Sequence, residues 1–171
     1  MDEAPMSDSV QGQGGSPLRD NPEVARVLAT IADLLEFRDD NPFKVRSYRL
    51  AAETIEEMSA SLTEMVAGKS ITELQKIPGV GKSISAQIAE ILLTGTSRYF
   101  EHLKQEIPVT VLELFRVSGI GLKTAQLLYR DFGIKSLQDL KAFAEGDGLL
   151  SVSGLGEKTI IRIKNSLDQL I

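Results

Sequence analysis

Apolar residues return along this chain every three or four positions, the spacing that places them on one face of an α-helix. After Asn21-Pro22-Glu23 the stripe is Val24, Val27, Leu28, Ile31, Leu34 and Leu35. Asn suits an N-cap, Pro the first helical position and Glu the first turn, so a helix is predicted to open there with Asn21 as its cap. Asn41-Pro42 repeats the signal before Val45, Tyr48, Ala51, Ala52, Ile55 and Met58. Ser70-Ile71-Thr72-Glu73 predicts a short helix with a capping box, and Ser136 caps another at Leu137. Three later stripes are Ile84, Ile88, Ile91 and Leu92; Ala125, Leu127 and Leu128; and Ile160, Ile163 and Leu167. No segment alternates with the period of two that a half-buried strand requires. The expected class is all-α, with many short helices and short loops.

Residues 1–20 break the pattern. They hold Gln11-Gly12-Gln13-Gly14-Gly15-Ser16-Pro17 and few apolar side chains, too few to offset the entropy of ordering. A disordered acidic tail is expected, with Asp2, Glu3, Asp8 and Asp20 against Arg19 alone. The segment lacks the apolar core of a signal peptide, and no apolar run is long enough to span a bilayer. The expected location is cytoplasmic, or nucleoid-associated in a bacterium, with no membrane partner.

Composition narrows the chemistry. Of 171 residues 42% are apolar, without Trp, so the core is expected to be Leu, Ile, Val and Ala. Cysteine is absent and His102 is the single histidine, which disfavours thiolate metal sites, cysteine nucleophiles and histidine triads. A net charge of −5 argues against coating a polyanion with lysine and arginine. The objection weakens where the charge is uneven and main-chain N–H groups hold the phosphates.

Three segments share one frame: Ile77-Pro78-Gly79-Val80-Gly81-Lys82-Ser83-Ile84, Val117-Ser118-Gly119-Ile120-Gly121-Leu122-Lys123-Thr124, and Val152-Ser153-Gly154-Leu155-Gly156-Glu157-Lys158-Thr159. Each reads apolar, Pro or Ser, Gly, aliphatic, Gly, then a helix containing Lys. The two glycines are expected to make a tight turn with positive φ, and Val80, Ile120 or Leu155 to plug between helices. The second glycine opens a helix whose first N–H groups lack intrahelical partners. Those donors and the positive end of the helix dipole form an anion site. Lys82 with Ser83, Lys123 with Thr124, and Lys158 with Thr159 stand beside it. The simpler explanation is a helical bundle whose glycines only turn the chain. A dinucleotide-binding loop is set aside, since it needs a preceding strand and a third glycine.

The repeated pattern resembles the helix-hairpin-helix motif, a module that binds DNA backbone without reading bases. A wider resemblance rests on Asn41-Pro42-Phe43-Lys44-Val45-Arg46-Ser47-Tyr48-Arg49-Leu50-Ala51-Ala52, on Ile77 to Leu92 with Thr94-Gly95-Thr96, and on Arg116-Val117-Ser118-Gly119-Ile120-Gly121. Together these are similar to the N-terminal region of family X DNA polymerases, the beta-type enzymes and their bacterial members. The resemblance implies a small helical domain of the beta type over 21–104, with the first hairpin, and a helix-hairpin-helix subdomain over 105–171 with the second and third. It implies that the hairpin at Gly79–Gly81 meets the 5′-phosphate side of a DNA gap and that at Gly119–Gly121 the primer side. Lys44 and Tyr48 match positions near the 5′-phosphate pocket. The main-chain carbonyls of Gln75, Ile77 and Val80, and of Phe115, Val117 and Ile120, match those that hold K+ or Na+ in the family.

Two departures shape the functional expectation. The sequence stops at Ile171, before the place of the catalytic palm, so polymerase activity of this stretch alone is not expected. The family's lyase lysine falls at Gln87, whose amide cannot form an imine. Lys82, about a turn away, is the substitute nucleophile a residual lyase would need.

Lys44, Arg46 and Arg49 form a basic cluster, read equally well as a solvated face or a DNA contact. Asp33, Glu36, Asp39 and Asp40 read as helix surface, His102 as exposed, and Glu145-Gly146-Asp147-Gly148 as a loop. The expected function is non-sequence-specific binding of duplex, nicked or gapped DNA, in repair and without catalysis or a required cofactor. Three alternatives stay open: a 5′-deoxyribose-phosphate or abasic-site lyase, a docking subunit for a separate repair polymerase or nuclease, and a fragment of a longer family X polymerase.

Overall fold

The structure, a computed structural model, describes residues 20–171; the expected acidic tail lies outside the described residues except for Asp20. Eight α-helices follow in order: α1 Asn21–Phe37, α2 Pro42–Glu57, α3 Leu62–Val66, α4 Lys82–Thr94, α5 Arg98–Glu106, α6 Leu122–Phe132, α7 Leu137–Glu145 and α8 Glu157–Leu170. Three 3-10 turns, Ile71–Lys76, Val109–Arg116 and Gly148–Ser151, precede α4, α6 and α8. No strand occurs among the described residues, so the all-α reading holds.

The predicted stripes are the core. Val24, Leu28, Ile31, Leu34 and Leu35 of α1 are buried against Tyr48, Ala51, Ala52 and Ile55 of α2 and Ile84, Ile88, Ile91 and Leu92 of α4. Burying one Leu or Ile side chain contributes about 1.5–3 kcal/mol. The small Ala51 lies where Gly79 of the first hairpin comes close to the main chain of α2.

The helix starts differ from expectation at two places. Asp20, not Asn21, caps α1: its carboxylate accepts from the Asn21 N–H at 2.9 Å. Asn21 is buried inside the first turn and acts across the fold. Its side chain donates to the Ala60 carbonyl at 2.7 Å and accepts from the Leu62 N–H at 2.9 Å, tying α1 to α3. A buried amide needs such partners, and sequence spacing cannot show them. Ser70 accepts from the Thr72 N–H at 3.3 Å, but the segment is a 3-10 turn and Glu73 pairs with Lys76 at 2.8 Å, so the reciprocal capping box does not form. Asn41 and Ser136 cap α2 and α7 as expected.

The end of α1 joins the α2 and α4 side of the molecule to α6. Gln126 Nε2 donates to the Phe37 carbonyl at 2.9 Å and to Asp39 Oδ1 at 3.1 Å. The Phe37 ring meets Phe115 and Tyr129 edge-on, with centroids 6.3 and 5.5 Å away. Edge-to-face pairs of this kind contribute roughly 0.5–1.5 kcal/mol beyond area burial. Arg38, ion-paired with Asp40 and with Glu106 of α5, borders the same junction.

Candidate nucleic-acid interface

Each of the three repeats folds into the same device. A hydrogen bond closes a four-residue turn, from Val80 N–H to Ile77 carbonyl at 3.0 Å, Ile120 to Val117 at 3.1 Å, and Leu155 to Val152 at 3.3 Å. The third residue of each turn is the first glycine, at φ +86°, +100° and +86° for Gly79, Gly119 and Gly154. With Pro78 second in its turn this is the type II arrangement, which demands φ > 0 at the third position.

The positive φ of the expected turn belongs to the first glycine of each pair alone. Gly81, Gly121 and Gly156 lie at φ −95°, −100° and −80°, extended backbone open to any residue. Their role is spatial. A Cβ on any of them would meet nothing within 4 Å, so a ligand can approach the main chain there.

The helix starts complete the device. The first intrahelical bonds run from Ser85 to Gly81, Ala125 to Gly121 and Ile160 to Gly156. The N–H groups of Lys82, Ser83 and Ile84, of Leu122, Lys123 and Thr124, and of Glu157, Lys158 and Thr159 therefore precede any intrahelical acceptor. The other five α-helices each have a side chain as N-cap acceptor, from Asp20, Asn41, Ser61, Ser97 and Ser136. Helices α4, α6 and α8 have none. A glycine cap costs only a few tenths of a kcal/mol where water reaches the amides. The donors are left for an external anion, and the dipole favours one.

At the first hairpin side chains from α2 converge on this cradle. Lys44, Ser47 and Tyr48 line a cavity of about 290 Å³ with Gly79, Gly81, Lys82, Ser83 and Ile84. Lys44 Nζ lies 4.9 Å from the centroid of Tyr99, whose ring stacks on Tyr48 at 6.0 Å. Tyr48 accepts a hydrogen bond from Gln87 Nε2, and Ser97 Oγ donates to Gln87 Oε1 at 3.3 Å. Burial raises the Tyr48 pKa, against the lowering effect of its bonds with Gln87 and Ser83. The position to which the resemblance assigns a lyase lysine is thus a buried amide bonded at both ends. The sequence carries no signal that Tyr48, Gln87 and Ser97 meet, since they stand 39 and 10 residues apart.

The basic cluster divides. Arg49 is drawn back to α1, 3.0 Å from both Asp33 and Glu36, and Arg46 lies over the exposed Phe43 ring. Of the three cations Lys44 alone lines the hairpin cavity. Asp33 and Glu36 are accounted for by Arg49, Asp40 by Arg38 and Asp39 by Gln126, and among the described residues no three His, Asp or Glu side chains gather as a metal site would require. Lys82, Lys123 and Lys158 are exposed, with no carboxylate within 4 Å among the described residues. His102 is exposed, 3.2 Å from Glu106.

The three cradles are not equal. Hairpin one opens on Lys82, hairpin two on Leu122 and hairpin three on Glu157, which puts a negative charge in the first turn of α8 where α4 has a positive one. Val80 and Ile120 are buried plugs, while Leu155 is only half-buried. The carbonyls of Ile77 and Val117, two of the six expected to meet a monovalent cation, each accept one turn bond and retain a second lone pair.

Comparison with known proteins matches this architecture. A helix-hairpin-helix domain model matches residues 19–97, and a SAM-like helix-hairpin-helix tandem model matches residues 111–169. The chain is 31% identical over 147 residues to DNA polymerase/3′-5′ exonuclease PolX of Bacillus subtilis (strain 168), covering 86% of this chain and 25% of that protein. It is 41% identical over 76 residues to DNA polymerase lambda of Rattus norvegicus, covering 44% of this chain and 13% of the relative. It is 35% identical over 100 residues to DNA polymerase lambda of Arabidopsis thaliana, covering 58% and 18%. The chain spans a quarter or less of the length of these relatives. Helix-hairpin-helix domains and this homology support DNA binding.

Proposed function

Because this chain carries helix-hairpin-helix domains and is homologous, over part of their length, to family X DNA polymerases, we propose that it binds DNA backbone without sequence preference and prefers gapped DNA bearing a 5′ phosphate, in repair. The observation that carries the reading is the trio of glycine-capped helix starts, each with main-chain donors left unmatched by any side chain. Phosphate contacts of this kind position a protein on DNA and carry no base information.

Hairpin one takes the 5′-phosphate end. Lys82, Ser83 and Ile84 amides donate, and Lys44 and Lys82 supply point charge. Ser47 and Tyr48 wall the same cavity. Hairpin two takes backbone on the other side of the gap through Leu122, Lys123 and Thr124. Hairpin three, with Glu157 at its first helical position, adds least. The carbonyls of Gln75, Ile77 and Val80, and of Phe115, Val117 and Ile120, offer a place for K+ or Na+ that would further favour a phosphate. A separate repair polymerase or nuclease is the partner class that such a gap-holding module serves.

The test is binding to matched single-stranded, duplex, nicked and one-nucleotide-gapped DNA, with and without a 5′ phosphate. Tightest binding is expected for the phosphorylated gap, with loss of that preference in Gly81→Val. Equal affinity for all forms would end the gap reading, and unchanged binding by Gly81→Val with the fold retained would end the hairpin mechanism. Borohydride trapping on a 5′ sugar-phosphate end separates binding from lyase chemistry. No adduct is expected, and one abolished by Lys82→Ala would make the protein an enzyme.

A further inference from the structure

The hairpins are repeats not only in their phosphate-side turns but also in the faces they offer to protein. Aligning Gly81, Gly121 and Gly156 superposes the buried positions: Leu74, Leu114 and Leu149; Ile77, Val117 and Val152; Ile88, Leu128 and Ile163. In hairpin two, Phe115, Gln126 and Tyr129 seat the carboxyl end of α1, receiving the Phe37 ring and donating to its carbonyl. The same three positions in hairpin one are Gln75, Ala86 and Ala89, small or polar residues suited to solvent. In hairpin three they are Leu150, Ile161 and Lys164. Leu150 is 72% exposed and Ile161 53% exposed, whereas Gln126 at the Ile161 position is 5% exposed. Hairpin three thus has apolar side chains where its neighbour has a docked helix end, and no described residue covers them to the same degree.

We propose that the Leu150–Ile161 face of the third hairpin docks another protein that presents an aromatic side chain at the carboxyl end of a helix. Three observations set that occupant. The equivalent face of hairpin two already holds this kind of group. Lys164 replaces Tyr129 and stands, with Lys158, on the same helix as Ile161, and cations complement the negative end of a helix dipole. Glu157 puts a negative charge in the first turn of α8, where α4 has Lys82 and α6 has Leu122, and so disfavours a phosphate at this hairpin. A second copy packed helix to helix is disfavoured, because two antiparallel α8 helices centred on Ile161 would set Lys158 against Lys164 twice. The proposal is independent of the gap preference, which rests on the first two hairpins.

The experiment uses the isotope-labelled chain and, as probe, a helix-stapled peptide of residues 27–40, whose helix ends on Phe37. The chain's own α1 fills the hairpin-two face, leaving that of hairpin three. Shift changes confined to Leu150, Ile161 and Lys164 are expected, with a dissociation constant on the order of 0.1–1 mM. They should be lost with a Phe37→Ala peptide and weakened about tenfold by Ile161→Asp, with Leu150→Ser as the second variant. Both positions are solvent-facing, so folding is preserved. No change at these residues, or equal change with the Phe37→Ala peptide, overturns the proposal. So does self-association abolished by Ile161→Asp, which names a second copy. Loss of DNA affinity in Ile161→Asp also overturns it, assigning the face to nucleic acid.

Discussion

The carboxamide of Gln87 donates to the hydroxyl of Tyr48 across the floor of the first hairpin, from α4 to α2, and both residues are buried. Removing either partner strands the other, a cost of about 1–3 kcal/mol. Gln87→Leu should therefore lower thermal stability while leaving Lys44 and Lys82 in place, so DNA affinity below the melting temperature should fall far less than stability.

The same pair has a pH signature. Burial raises the Tyr48 pKa, so the unfolded chain ionises first as pH rises past the ordinary tyrosine value near 10. Stability is full below that value and drains away between it and the folded pKa. Tyr48→Phe should be less stable at neutral pH, yet lose stability more gently above about pH 10 than the parent. Denaturant titrations from pH 7 to 11 measure both, and an unchanged alkaline slope would remove Tyr48 from the account.

Gly79 and Gly81 should respond in opposite ways to alanine. At Gly79 φ is +86° and a Cβ would lie 2.9 Å from the Ala51 main-chain nitrogen, so Gly79→Ala should cost about 2–4 kcal/mol from backbone strain and overpacking. Gly81 is extended and open, so Gly81→Ala should cost no more than about 1 kcal/mol while weakening DNA binding by narrowing the approach to the amides. Calorimetry and a binding isotherm on each variant distinguish fold from function.

Only a few lysines are proposed to meet phosphate, so affinity should fall gently with salt. A log–log slope of about −2 to −3 is expected, with Lys82→Gln and Lys123→Gln each removing about 0.9 and Lys158→Gln less, given Glu157 beside it. A slope near −6 in the parent would mean that side chains not named here carry the binding.

Arg49 and Lys44 lie on the same helix and should part company. Arg49 is committed to Asp33 and Glu36 on a partly exposed face, so Arg49→Ala should change stability by roughly 0–1 kcal/mol and leave DNA affinity nearly unchanged. Lys44→Ala should weaken binding to the phosphorylated gap and have little effect on unphosphorylated duplex. Equal losses from the two variants would restore the undivided basic cluster.

Much of this protein was legible in the order of its residues. Helical class, the stripes that become the core, two of the caps and the three glycine frames are local properties. They follow from side-chain spacing at 3.6 residues per turn and from the stereochemistry of glycine and proline, which need no distant partner. The cradle at each hairpin is local for the same reason, since turn and helix start lie within a few residues of each other.

What the tertiary structure decided is everything that depends on which surfaces meet. Asn21 looks like a cap in sequence but is consumed by Ala60 and Leu62, some forty residues on. Arg49 reads equally well in sequence as a solvated cation or a DNA contact, and only the fold brings Asp33 and Glu36 of α1 to it. Three repeats that share one glycine frame become unequal in burial, with Phe37 seated on the second while Leu150 and Ile161 of the third stay exposed. Such pairings are set by packing between helices, where burial and partner satisfaction outweigh local preference, and no short-range pattern along the chain encodes them.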